Sequence, residues 1–233
     1  MNSEIKNIIF DYGGTLDTHG IHWSEKFWEV YKHYHIPISK HDFKKAFVDA
    51  EKSIPRVINT NFGLQQTYNT QLTYQFNYLE KNSMLSSFYF VLVEQLKNYC
   101  YKKILQNIEV SKLILSLLEH DYQLGLVSNY YGNVKTVLEE IALKKYFNAI
   151  IDSTVVGFRK PDIKIFELAL NELSAKPEET IVVGDSYEND IAPAKKIGCY
   201  TIWLNGKSWK TPTEVSSADV IINSMKQLPD VLK

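Results

Sequence analysis

Asn7-Ile8-Ile9-Phe10-Asp11-Tyr12-Gly13-Gly14-Thr15-Leu16-Asp17 is the stretch on which the reading of this chain turns. Its first four residues form a short apolar run that stops at an acidic residue and a glycine pair, the pattern of a buried strand entering a tight turn. Comparable runs recur far downstream. Leu124-Gly125-Leu126-Val127, Ala149-Ile150-Ile151, Ile181-Val182-Val183 and Tyr200-Thr201-Ile202-Trp203 each read as strands, with Val220-Ile221-Ile222 a candidate sixth.

The segments between these runs have helical period. Val110, Leu113, Ile114, Leu117 and Leu118 are expected to share one helix face, as are Val134, Val137, Leu138 and Ile141. Phe166, Ala169, Leu170 and Leu173 form another stripe, followed by Ile191, Ala194 and Ile197. Strand and helix alternate, so the spacing predicts an α/β fold with a parallel sheet covered by helices on both faces.

Residues 17–101 interrupt the alternation with helical patterns and no convincing buried strand. Phe27, Val30, Tyr31 and Tyr34 repeat at helical spacing, and so do Phe43, Ala46, Phe47 and Ala50. Leu85, Phe88, Leu92 and Leu96 read as the start of a helix leading back, and Asn61-Phe62-Gly63 as a loop where glycine relieves the backbone. The expected organisation is a core from residues 1–16 and 102–233 with an inserted helical cap, 17–101. The cap's Trp23, Trp28, Tyr68, Tyr74, Phe76 and Tyr78 suit packing more than stacking on a ligand.

At 233 residues, with 45% hydrophobic and 23% charged side chains, the chain has the balance of a globular protein with a sizeable core. A formal net charge of −1, without a long run of one sign, disfavours nucleic acid as partner. No run approaches the roughly 20 apolar residues a bilayer crossing requires, so no membrane partner is expected. The N-terminal Met1-Asn2-Ser3-Glu4-Ile5-Lys6-Asn7 lacks the pattern of a secretion signal, which makes cytoplasmic localisation the expectation. Cys100 and Cys199 fit no metal-binding spacing and read as inert filler.

Ligands of parallel α/β sheets bind at the carboxyl ends of the strands. The polar residues found there are Asp11, Ser128-Asn129, Lys160 and Asp185. Each has an ordinary alternative taken alone. Asp11 could start a turn, and Ser128 or Asn129 could cap a helix. Lys160 could be a solvated loop residue, while Asp185 and Ser186 could cap the next helix with Asp190 complementing its dipole. Four such accidents in order, each just beyond a strand, are far less expected than one site.

Asp11-Tyr12-Gly13-Gly14-Thr15-Leu16-Asp17 resembles the first signature of the haloacid dehalogenase superfamily. Leu126-Val127-Ser128-Asn129 is similar to the second, Gly157-Phe158-Arg159-Lys160-Pro161 to the third, and Val183-Gly184-Asp185-Ser186-Tyr187-Glu188-Asn189-Asp190 to the fourth. The likeness spans nearly the whole chain. It implies a Rossmann-like parallel-sheet core with an all-helical cap inserted after the first signature. It also implies a magnesium-dependent hydrolase acting on a small phosphorylated metabolite, as monomer or homodimer.

By that resemblance Asp11 is the nucleophile, forming an aspartyl-phosphate that water hydrolyses. Magnesium (Mg2+) would be held by Asp11, Asp185 and the Gly13 carbonyl, with Asp190, Asn189 and Ser186 behind them. Lys160 would compensate charge, Ser128 would bond a phosphoryl oxygen, and Asn129 would orient the leaving group. Gly13, Gly14 and Thr15 would offer backbone donors to the phosphate.

The resemblance also exposes a departure. Phosphatases of this superfamily usually carry a second aspartate, an acid and base, at the position of Gly13, and glycine cannot move a proton. Proton transfer of this kind is worth ~10²–10⁴-fold. Three readings compete: a cap histidine, His19 or His22, serves as acid; the substrate is a phosphonate cleaved at carbon–phosphorus with a cap lysine such as Lys26 forming an imine; or the chain is an impaired binding or regulatory protein. Dehalogenation itself would leave Asp185 unexplained.

Overall fold

In the computed structural model, residues 4–208 and 218–232 are described; Met1–Ser3, part of the N-terminal stretch without a secretion pattern, lie outside them. From β1 (Asn7–Phe10) the chain enters four helices: α1 (Trp23–His33), α2 (Lys40–Ser53), α3 (Leu64–Lys81) and α4 (Val93–Leu118). The α/β alternation then resumes with β2 (Gln123–Ser128), α5 (Val134–Glu140), β3 (Ala149–Asp152), α6 (Ser153–Val156) and α7 (Lys164–Glu172). It closes with β4 (Thr180–Gly184), α8 (Ala192–Lys196), β5 (Tyr200–Leu204), β6 (Val220–Ile222) and α9 (Leu228–Val231).

All six strands form one parallel sheet in the order β3-β2-β1-β4-β5-β6. β1 is central and buried throughout, which explains its uninterrupted apolar run. Its side chains alternate: Ile8 and Phe10 join one apolar cluster, Ile9 the other. The same division holds for Leu126 against Val127 and for Val183 against Val182. Each such side chain contributes about 1.5–3 kcal/mol by leaving water. Ile165, Phe166, Ala169, Leu170 and Leu173 on and beside α7 cover the Ile9 face.

The inserted cap is all-helical, and its expected stripes on α1 and α2 are buried. Its aromatics pack on one another, as Tyr31 does on Phe43 at 5.1 Å and Phe76 at 5.3 Å between ring centres. Three local expectations are corrected. On α4 the expected Ile114 and Leu118 are buried, but the buried face runs on through Ile104, Ile108, Ser111 and Leu115, while Leu113 and Leu117 are exposed. The sheet selects the stripe that contains a serine, because Ser111 satisfies itself by donating to the Leu16 carbonyl at 2.6 Å. Phe88 lies exposed in a 3-10 turn (Ser87–Leu92), so the returning helix begins only at Val93. Gly63 has an ordinary φ of −78°; its missing side chain leaves room for Glu140 rather than relieving the backbone.

α4 is one uninterrupted helix that packs on α1 and α3 of the cap and on α9 of the core. Cys100 and Cys199 are both buried, and burial pushes each thiol up to about 12, which makes them poor nucleophiles. No described helix is long and apolar enough to cross a membrane.

Candidate active site

The register places Phe10 between Leu126 of β2 and Val183 of β4, so the residues just beyond these three strands converge at one edge of the sheet. Asp11, buried there, extends the ladder by donating its amide to the Val183 carbonyl at 2.9 Å. Lys160, 5% exposed, reaches in from the loop after α6. Its Nζ donates to Asp11 Oδ1 at 2.5 Å, to Asp190 Oδ1 at 2.6 Å and to the Val127 carbonyl at 3.1 Å. Burial by itself would lower the ammonium's pKa; the carboxylates of Asp11 and Asp190 outweigh it and raise it. Lys160 is therefore a permanent cation.

Asp11, Asp185 and Asp190 each present a carboxylate oxygen within 4.8 Å of the others. Burial, then the charges of Asp11 and Asp190, raises the Asp185 carboxyl well above the usual range. Three carboxylates around one ammonium leave negative charge unbalanced, and an all-oxygen donor set of this kind fits a hard divalent cation. Thr15 Oγ1 ties the set together: it lies 3.0 Å from Asp11 Oδ2, 3.4 Å from Asp185 Oδ1, and accepts the Asp185 amide at 3.0 Å.

The chain after β4 takes a π-helical turn (Tyr187–Ile191) rather than a regular first helical turn. Within it Asp190 Oδ2 accepts the Ser186 amide at 3.0 Å, and Ser186 Oγ accepts the Asn189 amide at 3.3 Å. Both Asp190 oxygens are thus engaged. Trp203, read in the sequence only as part of a strand, donates Nε1 to the Asp185 carbonyl at 2.9 Å.

Asp11, Gly13, Ser128, Asn129, Lys160 and Asp185 line one cavity of about 420 Å³ between core and cap, as do Ser186, Asn189 and Asp190. Asn129 exchanges two hydrogen bonds with the Lys160 backbone, Nδ2 to its carbonyl at 3.0 Å and Oδ1 from its amide at 2.9 Å. Its side chain fixes the lysine loop, which the sequence did not suggest. The expected backbone donors are corrected: the Gly14 amide donates to Asp17 Oδ1 at 2.8 Å and the Thr15 amide to the Tyr12 carbonyl at 3.2 Å. Only the Gly13 amide is left among the described residues. Gly14 has φ +104°, and a side chain there would occupy the place of the Asp185 carboxylate.

A Cβ on Gly13 would sit 3.6 Å from Cδ1 and Nε1 of Trp23, so alanine fits but a longer side chain must displace the indole. Trp23 is itself held by Asp17, whose Oδ2 accepts its Nε1 at 2.9 Å and the Tyr68 hydroxyl at 3.0 Å. Burial lifts the Asp17 carboxyl to about 7, and the three hydrogen bonds it accepts offset only part of this. The folded state therefore holds this proton more tightly than the unfolded chain. Stability from this group is full below about pH 4 and lost as the pH rises through about 7. Urea unfolding between these limits is expected to show a decline with pH that becomes shallower in Asp17→Asn.

Of the two cap histidines, His19 is removed as a proton donor to the site. Ser111 Oγ donates to Leu16, so it accepts from His19 Nε2 at 2.9 Å; burial lowers this ring to about 4, and it does not line the cavity. His22 does line it; its Nδ1 lies 2.7 Å from Ser24 Oγ and 3.2 Å from the Ser24 amide, at the N-terminus of α1. Lys26 Nζ pairs with Glu29 at 3.2 Å and lines no part of the cavity, so Lys26 does not present its amine there.

Glu51, Gln71, Tyr131 and Arg159 also line the cavity and were missed in the sequence. The signal was available: Thr67, Gln71 and Gln75 are polar residues on the buried face of α3.

The profile of the haloacid dehalogenase-like hydrolase family matches residues 8–204, and the chain belongs to that family. A glyceraldehyde 3-phosphate phosphatase from Pyrococcus furiosus is 35% identical over 127 residues, 52% of each chain. The pyrimidine 5'-nucleotidase YjjG of Escherichia coli is 30% identical over 51% of this chain and 53% of its own length. The chain thus spans about half the length of the curated relatives it matches. YfnB from Bacillus subtilis, in a magnesium-bound crystal structure, shares the fold at a TM-score of 0.63 and 19% identity, over 99% of this chain and 100% of its own.

Proposed function

We propose that this chain is a magnesium-dependent phosphatase that cleaves a small phosphorylated metabolite through an aspartyl-phosphate on Asp11. The observation that carries this reading is the Lys160 ammonium locked between Asp11 and Asp190 beside a third carboxylate, Asp185. Relatives named as phosphatases support the same reaction class.

A carboxylate oxygen of Asp11 attacks phosphorus as the ester oxygen departs, and water then hydrolyses the aspartyl-phosphate to regenerate Asp11. Lys160 holds Asp11 by a hydrogen bond and offsets charge on the phosphoryl oxygens. Ser128 and the Gly13 amide supply donors to those oxygens; Asn129, Thr15 and Asp190 hold the charged groups in place, with Ser186 and Asn189 supporting Asp190. Asp11, Asp185 and the Gly13 carbonyl would hold magnesium, which reduces repulsion between the nucleophile and a phosphate dianion.

Release of inorganic phosphate from a panel of phosphorylated metabolites, with and without magnesium, tests this function; no release from any member would overturn it. Magnesium at about 100 times its Kd is expected to stabilise the protein by about 2.7 kcal/mol in thermal unfolding, an effect lost in Asp185→Asn.

Gly13 leaves protonation of the departing oxygen to another group, and we assign it to His22, a ring on the cavity wall that in its protonated form would pass the Nε2 proton to that oxygen while Ser24 Oγ, 2.7 Å from Nδ1, accepts the other N–H. Turnover of alkyl phosphates by His22→Gln should fall ~10²-fold, with a smaller fall for aryl phosphates, whose leaving groups need less proton transfer. Equal turnover by both proteins would remove His22 from the reaction.

A further inference from the structure

The cap-side wall of the cavity carries polar atoms that the reaction at Asp11 does not use. Glu51 of α2 accepts two hydrogen bonds on Oε1, from Gln71 Nε2 of α3 at 2.7 Å and from the Tyr131 hydroxyl, after β2, at 2.9 Å. Its Oε2 has no hydrogen bond among the described residues. Gln71 is 2% exposed, and because its Nε2 is committed to Glu51, its Oε1 is left as a buried acceptor without a partner. Such an atom destabilises the fold unless something pairs with it. Both residues line the cavity together with the apolar Phe27, Phe47 and Ile54 and with Arg159, whose charge acts on Glu51.

We propose that Glu51 and Gln71 form an acceptor subsite that selects phosphate esters whose leaving group ends in a hydrogen-bond donor, a hydroxyl or an ammonium. The proposal rests on the phosphatase function proposed for Asp11. A hydroxyl or ammonium offers O–H or N–H to the buried Gln71 Oε1 and to Glu51 Oε2. A terminal carboxylate offers only acceptors to these oxygens, and a methyl group leaves the Gln71 oxygen unpaired, so each is selected against. Tyr131 holds Glu51 from the core side, which places the subsite between core and cap.

The test is a homologous series of alkyl phosphates, two to five carbons long, ending in hydroxyl, ammonium, methyl or carboxylate. At the best length, kcat/KM for hydroxyl or ammonium should exceed that for methyl by about tenfold or more, with carboxylate lower still. Glu51→Gln should reduce the preference for ammonium over methyl more than that for hydroxyl, and Gln71→Leu should reduce the hydroxyl preference, which separates the two donors. Methyl esters as good as the others at every length, or ratios unmoved by both substitutions, would overturn the proposal. If the wild type releases phosphate from none of them, the phosphatase reading fails separately. Calorimetric titration of the same esters into Asp11→Asn then decides the subsite: tighter binding of the donor-ended esters sustains it, and equal affinities reject it.

Discussion

Lys160→Met is expected to destabilise the fold by about 3–5 kcal/mol at neutral pH and to abolish phosphate release at the same time. The ammonium is 5% exposed and lies within 2.6 Å of oxygens on Asp11 and Asp190. Methionine fills the volume but leaves the buried Asp11 and Asp190 and the half-buried Asp185 facing one another with no ammonium among them. Acid should soften the effect, because protonation relieves the repulsion, so urea unfolding at about pH 5 should show a smaller difference than at about pH 7.5. Adding Asp190→Asn to the variant should restore part of the loss, a non-additivity that reports direct coupling. A neutral-pH difference below about 1 kcal/mol would mean that these charges are not held as the geometry implies.

Asp11→Asn should lower phosphate release roughly 10³-fold or more while the protein stays folded. The amide is a poor nucleophile at phosphorus, yet it keeps the size of the carboxylate and can still accept a hydrogen bond from Lys160. Removing one of three crowded charges also favours ionisation of Asp185, whose carboxyl is raised first by burial and then by Asp11. Loss of turnover without loss of stability is therefore the expected pair of results, read by phosphate assay and thermal unfolding. Turnover within a few-fold of wild type would place the attacking atom elsewhere.

The sheet and the four corners of the site were legible because each rests on a local rule: apolar runs mark the buried strands, and the chemistry sits just past their ends. Asp11, Ser128 and Asp185 come together because the parallel register brings those ends side by side, while Lys160 reaches them from the loop after α6. The illegible part depends on pairing across the sequence. Asn129 is an ordinary strand-end amide until the Lys160 loop folds against it. Nothing local separates His19 from His22, and the difference comes from Ser111, 92 residues from His19. Leu113 and Leu117 make as good a stripe as the buried one; the serine in the buried stripe hides it from any hydropathy count. Glu51 and Gln71 gain meaning only when α2 meets α3 beside the mouth of the core.

The unbroken run of α4 has a mechanical corollary. Its 26 residues extend for about 39 Å, anchored at one end among the cap helices and at the other beside the sheet. A stiff rod clamped at both ends resists bending far more than a loop does. The other crossing, Thr18–Ile21, is tied down as well, by the Gly20 amide on the Gly14 carbonyl and the Lys207 amide on the Gly20 carbonyl, so both connections hold the cap in one place over the nucleophile.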